Sequence, residues 1–403
     1  MNVFFHTFGC RANQYDTELV RQAFADQGAV VVAEPDAADV AVVNSCTVTH
    51  ESEAKLRRFV RRLARRPGGR VETVVMGCAA ALDDGTLAAL PSVRAVVGGA
   101  DPAAIVSAAG FAAPRVDRVL RRFGANARGW LKIQDGCDEH CTFCATTIAR
   151  GANRSRAIPE LVREARALAQ HHAEIVLTGI HIGTYGRDRD GWSLGELLEA
   201  LVEAVPEVRF RLSSIEATEV DDRIARLLIE APRQVAPYLH APLQSGSDRV
   251  LKRMGRHWYT AESYRARLEW LAARLPTFGL GADVIAGFPG ETDADHHATL
   301  ALIGALPFTY LHVFPYSARP DAAATRMRDG VPAGAVRARA AELRALGEDK
   351  ALAYRATRAG ITADGVASGR IAGRVDVLTE DYLSVALPVE RWDGRPRFPV
   401  TID

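Results

Sequence analysis

A chain of 403 residues exceeds what one ordinary core fills, and 48% hydrophobic with 25% charged residues excludes a disordered or low-complexity protein. A formal net charge of +1 leaves no acidic or basic tail, so any polyanion has to be met by a local patch. The sequence has no basic segment leading into an apolar one and no run of eighteen uncharged apolar residues, which argues against secretion and membrane spanning and makes the cytoplasm the expected compartment.

Residues 1–98 alternate short apolar runs, "NVFFHTF", "DVAVVNS" and "VETVVMG", with amphipathic stretches at about 16–27 and 51–66. That alternation predicts parallel βαβ units in a small, doubly wound α/β domain. Residues 99–128 hold one short helix and then Gly, Pro and Arg without periodicity, and read as a linker. Six candidate strands follow within 129–330: "WLKIQ", "EIVLTG", "VRFRLSS", "YLHAPLQ", "LGADVIAGF" and "YLHVFPYS". Helical stretches lie between them near 159–171, 193–204, 219–231, 260–274 and 292–305. Six βα repeats predict a partial (β/α)6 barrel whose chemistry sits at the C-terminal strand ends. A helical connector is expected over 331–356, and "GRVDVLTEDYLSVALPV" with "RFPVTI" predicts a small all-β module over 357–403.

In a reducing compartment six cysteines are expected as metal ligands or catalytic thiols rather than as disulfides. The strongest chemical signal is "GCDEHCTFC", which spaces Cys137, Cys141 and Cys144 as C-x-x-x-C-x-x-C on the loop after the first barrel strand. Three thiolates so close can clasp one face of an iron–sulfur cubane. Zinc stays open on spacing alone, with His140 as a fourth ligand. The motif, with Phe143 before its last cysteine, resembles that of the radical S-adenosylmethionine (SAM) superfamily. The resemblance implies a [4Fe-4S] cluster whose free iron chelates SAM, and an electron that splits SAM to a 5'-deoxyadenosyl radical. It further implies cofactor contacts from Phe143, from Thr178 and Gly179 in "LTGIHIGTYG", from Ser213, Ser214 and Glu216 in "RLSSIEA", and from Gly287 in "GFPGET". Glu216 could equally be an ordinary salt-bridge partner, and "GFPG" an ordinary tight turn.

Cys10, Cys46 and Cys78 lie far apart in sequence, and singly each reads as a buried thiol acting as a small hydrophobe. Each nevertheless follows a predicted strand, in "HTFGC", "VVNSC" and "VVMGC", and the C-terminal strand ends of an open parallel sheet share one edge. Cys10 and Cys78 also follow glycines, which let backbone approach a bulky inorganic group. The six cysteines thus divide into two triads without remainder.

Two cysteine triads on this architecture, with "TFGCRANQYDTE", "VVNSCTVT", "PLQSGSDRVLKRM" and "HVFPYSARP" in order, resemble the radical SAM methylthiotransferases over essentially the whole chain. "TFGCRANQYD" and "LTGIHIG" are most similar to the branch acting on N6-threonylcarbamoyladenosine of tRNA. The resemblance implies two [4Fe-4S] clusters, two SAM per turnover, and transfer of a methylthio group from the Cys10/Cys46/Cys78 cluster to adenine C2. The partners it implies are the tRNA anticodon stem-loop and a reductant protein such as flavodoxin or ferredoxin, with neither membrane nor DNA. By the same resemblance the C-terminal module is TRAM-like. Thr147 and Ile148, where the family carries a proline and an aromatic, and "AAA" after Cys78 depart from its pattern.

The stretch "ESEAKLRRFVRRLARR" lines up Arg57, Arg58, Arg61, Arg62, Arg65 and Arg66 among apolar residues. It reads first as an amphipathic helix with a solvated cationic face, and second as a phosphate-contacting edge. The sister branches acting on N6-isopentenyladenosine or on a ribosomal protein, and a non-catalytic iron–sulfur RNA-binding protein, are the rival readings.

Overall fold

The computed structural model describes residues 1–47, 50–65, 71–112, 116–319 and 321–403. Its N-terminal part runs β1 (Asn2–Thr7), α1 (Arg11–Asp26), β2 (Val30–Val32), β3 (Val40–Ser45), α2 (His50–Ala64), β4 (Glu72–Gly77), α3 (Cys78–Ala81), β5 (Val93–Gly98) and α4 (Pro102–Ala108). The five strands form one parallel sheet in the order β2-β1-β3-β4-β5. Val3, Phe5, Val42 and Val74 face α1 and α4 on one side, while Phe4, Val43 and Val75 face α2 and α3 on the other. Alternate side chains of a strand point to opposite faces, so near-continuous apolar runs such as "VAVV" are what a sheet covered on both sides requires.

The middle part begins with β6 (Arg128–Lys132), the short antiparallel pair β7 (Gln134–Asp135) and β8 (Arg154–Ser155), and α5 (Thr146–Arg150) between them. It continues through α6 (Ile158–Ala169), β9 (Glu174–Thr178), α7 (Leu194–Ala204), β10 (Arg209–Leu212), α8 (Asp222–Glu230), β11 (Tyr238–His240), α9 (Asp248–Arg253), α10 (Ala261–Ala272), β12 (Gly279–Ala286), α11 (Asp293–Ala305) and β13 (Tyr310–Pro315). Parallel ladders join β6-β9-β10 and β11-β12-β13, and parallel bridges Phe210–Val235 and Ser214–His240 stitch the two halves together. The result is the expected six-stranded partial barrel. Ser193, Asp221, Ser247, Thr260 and Thr292 each cap a barrel helix by accepting a backbone N–H from its first turn. Caps of this kind contribute about 1 kcal/mol each.

A partial barrel leaves an opening between β6 and β13, and the N-terminal part spans it. On one edge Trp130 donates to Gln14 at 2.7 Å and Lys132 pairs with Asp16; beyond the other, Arg319 pairs with Glu53 at 2.7 Å.

The C-terminal part consists of α12 (Ala333–Arg358) and an antiparallel sheet of β14 (Thr362–Ile371), β15 (Arg374–Leu378), β16 (Ser384–Pro388) and β17 (Arg397–Thr401), ordered β16-β15-β14-β17. The segment between β15 and β16 plugs the N-terminal end of the barrel: Tyr382 stacks on Tyr238 with ring centroids 4.5 Å apart. Beside it the buried Glu174 carboxylate accepts from Arg128 and Arg209 at 2.7 Å and from Arg211 at 2.9 Å. Arg209 and Arg211 in turn donate to the carbonyls of Asp364 and Thr379. Among the described residues no helix is long and apolar enough to cross a membrane.

The structure adds elements that the pattern of residues did not predict. β2 has only three residues at a sheet edge, and β5 is only partly buried, so neither shows a clean burial period. α1 starts at Arg11, five residues earlier than expected, because Asn13 and Tyr15 are buried in contacts outside its apolar stripe. β14 carries no clean strand pattern because Gly365, Ser368 and Gly369 interrupt its alternation. Within 99–128, Leu120 and Phe123 pack into the barrel core, and Gln22 of α1 exchanges hydrogen bonds with Val119 and Arg121.

Candidate functional site

Cys137, Cys141 and Cys144 occupy the loop between β7 and α5, at the C-terminal end of the barrel. Gly136 has φ +72°, and a Cβ there would overlap the Ala152 carbonyl, so the turn into Cys137 requires glycine. The loop is pinned from β11's side of the barrel: Thr142 N–H donates to Met254 O at 2.9 Å and its hydroxyl to Arg253 O at 3.0 Å. Arg256 Nη1 donates to Cys141 Sγ at 3.5 Å, and Thr146 N–H to Cys144 Sγ at 3.3 Å. Cys137 Sγ lies 3.7 Å from His181 Nδ1. Burial pushes the Cys141 thiol up to about 12 despite the opposing Arg256 charge. Burial alone would depress His181, but the hydrogen bonds its protonated ring donates to Cys137 and Glu219 hold it at about 10.

The three strand-end cysteines do converge. Cys10 caps α1, Cys46 follows β3 and Cys78 opens α3, all at the C-terminal edge of the sheet and around the reversal of strand order between β1 and β3. Asn13 stands among them, with Oδ1 3.6 Å from Cys10 Sγ and 3.9 Å from Cys78 Sγ. Gly9 has φ +116°, and a Cβ on it would lie 2.9 Å from Cys46 Cβ and 3.1 Å from Cys46 Sγ. That cradle, lined by three thiols, fits a thiolate-held inorganic group. Burial raises the Cys78 thiol against the opposing charge of Arg150. None of the six cysteines is in a disulfide.

One side chain crosses from the helix after Cys144 to the N-terminal triad. Arg150 ends the helix after Cys144, and its Nε donates to Cys78 Sγ at 3.2 Å. Its other nitrogens reach Asn13 Oδ1 at 2.5 Å, Asp135 at 2.9 Å and Asp16 at 3.1 Å.

A cavity of about 210 Å³ opens beside Cys144, lined among others by Phe143, Ile285, Phe314, Tyr316, Arg319 and, from the N-terminal part, Thr47. Phe143 meets Phe288 edge-on at 6.5 Å. Tyr316 Oη and Arg319 Nε and Nη1 are buried there with no hydrogen-bond partner among the described residues. Orphaned donors in a cavity mark where a ligand's acceptors belong.

The remaining expected site residues fall in different places. Ser214 is exposed toward the barrel end, and Ser213 donates its N–H to Leu177 O at 3.0 Å. Glu216 is buried against Arg256 and Trp258, and burial raises its carboxyl despite that cation. The salt-bridge reading of Glu216 therefore describes its contacts. Thr178 is buried at the end of β9, and Gly179 packs against Gln134, whose Oε1 accepts from Ile180 and His181 N–H at 3.0 Å. Gly287 does not line the cavity: its N–H donates to Glu291, and a Cβ would overlap Val336 of α12. The "GFPGET" turn anchors the connector helix, with Glu291 gripped by Arg339 at 2.7 Å.

His240, Asp283 and His312 could share a cation, but Asp283 already accepts from both imidazoles, at 3.0 and 3.3 Å, and His240 Nδ1 meets Tyr310 Oη at 2.8 Å. They form a hydrogen-bonded polar group at the wall of the cavity, which Asp283 lines. Along α2, Leu56, Phe59, Val60 and Leu63 are buried while Arg58, Arg61, Arg62 and Arg65 are exposed; Arg66 lies outside the described residues.

Residues 2–98 match the model of "Uncharacterized protein family UPF0004", and residues 131–303 that of the "Radical SAM superfamily". The threonylcarbamoyladenosine tRNA methylthiotransferase MtaB of Thermotoga maritima is 37% identical over 366 residues, covering 87% of this chain and 82% of that protein. The tRNA-2-methylthio-N(6)-dimethylallyladenosine synthase of Novosphingobium aromaticivorans is 34% identical, covering 89% and 84%. Among solved structures, the radical S-adenosylmethionine methyltransferase TsrM of Kitasatospora setae superposes with a TM-score of 0.58 at 14% identity, over 78% of this chain and 72% of that one, a likeness of fold.

Proposed function

The chain belongs to the radical SAM methylthiotransferase family, and from that premise we propose that it places a methylthio group on C2 of N6-threonylcarbamoyladenosine beside the tRNA anticodon. The observation that carries the reading is the convergence of Cys10, Cys46 and Cys78 on one sheet edge, joined through Arg150 to the helix after Cys144. Breaking an aromatic C–H bond lies beyond any side chain; [4Fe-4S] groups held by Cys137, Cys141 and Cys144 and by Cys10, Cys46 and Cys78 would supply that chemistry, radical generation from SAM at the first and the sulfur at the second.

The chain's own residues bind, orient and shield. Phe143, Ile285 and Phe314 offer apolar walls for the adenosyl part of SAM, and Tyr316 and Arg319 offer it unpartnered donors. Ser213, Ser214 and the Glu216–Arg256 pair border the Cys141 side, where the amino-acid end of SAM would lie. Thr178 and Gly179 act from beneath, holding the strand end and Gln134. The N-terminal part closes the barrel's lateral opening and brings the second triad toward the cavity through Thr47, which follows Cys46. The exposed arginines of α2 provide the local cationic patch that tRNA phosphates need in a chain of net charge +1. Two SAM are consumed per turnover, electrons come from a flavodoxin- or ferredoxin-like protein, and the reaction belongs to the cytoplasm.

Nucleoside mass spectrometry of tRNA from a deletion strain tests this reading. Loss of 2-methylthio-N6-threonylcarbamoyladenosine, with its unthiolated precursor retained, is the expected result. An unchanged profile refutes it, and loss of the isopentenyl product instead moves the chain to the sister branch.

A further inference from the structure

We infer that Arg150 is a positioning residue for the N-terminal cysteine triad, supplied across the seam by the radical-SAM part: its guanidinium orients Cys78 and stabilises the reduced state of the iron–sulfur group held there. The inference rests on the two-cluster reading above.

Four observations carry it. The Arg150 side chain is 7% exposed, so its charge acts in a medium that screens poorly. Asp135 and Asp16 take Nη1 and Nη2 at 2.9 and 3.1 Å, which aims the remaining Nε–H at Cys78 Sγ, 3.2 Å away. Lys132 pairs with the same two carboxylates, so the four groups are neutral together and the carboxylates leave no net negative charge beside Cys78. Asn13, finally, presents its oxygen to the sulfurs of Cys10 and Cys78 because its Nδ2 is committed to Phe8 O, Asn44 Oδ1 and Ser45 O. An acceptor facing thiolates is repulsive, and Arg150 Nη2 covers it at 2.5 Å.

Adding one electron to a thiolate-held cluster adds one negative charge. A cation and an N–H on a ligating sulfur stabilise that charge and so raise the reduction potential. At the other triad Arg256 plays the matching part with its N–H on Cys141 Sγ. The Arg150 guanidinium donates to Cys78, Asn13, Asp16 and Asp135 and to no sulfur of the other triad among the described residues, which provides an internal control.

The test uses the full-length chain, reconstituted anaerobically with iron and sulfide, as wild type, Arg150→Gln and Arg150→Lys. Iron is counted, and dithionite supplies electrons in a mediated titration followed by electron paramagnetic resonance. The wave of the N-terminal group is the one missing from a Cys10→Ala/Cys46→Ala/Cys78→Ala variant. In Arg150→Gln that wave is expected to shift to more negative potential while the other stays in place. Full iron with both waves unmoved overturns the inference. Where Arg150→Gln does not hold the second group, Arg150→Lys decides, because lysine keeps a cation for Asp16 and Asp135 without the fork: a shifted wave supports the inference and an unmoved one overturns it. A wild type holding about four irons instead of about eight would refute the two-cluster reading itself.

Discussion

Cys10→Ala separates the two chemistries with little disturbance to the fold. Cys10 is exposed at the start of α1, and its side chain makes no capping hydrogen bond. Its one side-chain hydrogen bond among the described residues, to Asn13 Oδ1, is long at 3.6 Å, and Arg150 Nη2 remains to occupy that oxygen. The stability change is therefore that of an ordinary surface substitution, within about 0.5 kcal/mol, or on the order of 1–2 °C in Tm for units of this size. The chemical change is much larger, since two thiolates do not hold a cubane against exchange. Iron should fall from about eight to about four per chain. Anaerobic turnover with SAM, dithionite and tRNA lacking the methylthio group should still release 5'-deoxyadenosine, because Cys137, Cys141 and Cys144 are untouched. Methylthiolated nucleoside should be absent by mass spectrometry. Unimpaired product formation, or iron unchanged at about eight, would refute the assignment of Cys10.

Glu174→Gln should be among the most destabilising isosteric changes in the barrel. It leaves Arg128, Arg209 and Arg211 without their shared counter-charge in a fully buried site, at a cost of about 3–5 kcal/mol in denaturant unfolding; a change under 1 kcal/mol would contradict this. His172 is buried with Nε2 accepting from Phe123 N–H at 2.9 Å and Nδ1 donating to Asn126 O, so burial holds its pKa near 4. Between pH 6.5 and 4 the unfolded chain takes up a proton that the folded chain refuses, so stability falls as pH falls, by about 2–3 kcal/mol in total. His172→Gln should flatten that part of the Tm–pH curve, and an unchanged slope would assign it to other groups. Tyr316→Phe removes an orphaned hydroxyl from the cavity beside Cys144; SAM binding by equilibrium dialysis should weaken roughly threefold to tenfold, the worth of one hydrogen bond. Equal affinity would mean that this hydroxyl does not meet SAM.

Legibility followed the range of the interactions concerned. The radical-SAM loop is visible because its three cysteines lie within eight residues of one another, with the spacing that the family resemblance rests on. The N-terminal triad was one step harder. Its cysteines lie 32 to 36 residues apart, but each stands at the end of an apolar run, and the parallel-sheet rule brings such ends together. Arg150 carried no such mark. Its partners Cys78, Asn13 and Asp16 lie 72, 137 and 134 residues away, and an arginine before a glycine looks like any other helix end. Arg256 and the orphaned atoms of Tyr316 and Arg319 were hidden for the same reason. Gly287 carries both ranges: its glycine turn at a strand end is local, while the close approach of Val336 of α12, which its missing side chain permits, is not.

The sequence by itself determined the class of chemistry and the layering, because thiolate spacing, strand and helix periods and strand-end position are local or follow from chain topology. Only the tertiary structure decided how the two chemistries meet: which charges cross the seam, which carboxylates aim Arg150 at Cys78, and where a cavity is left with unanswered donors. Buried charges and orphaned polar groups are costly wherever they occur, so their pairing is set by the whole packed molecule, and a reading along the chain has no term for it.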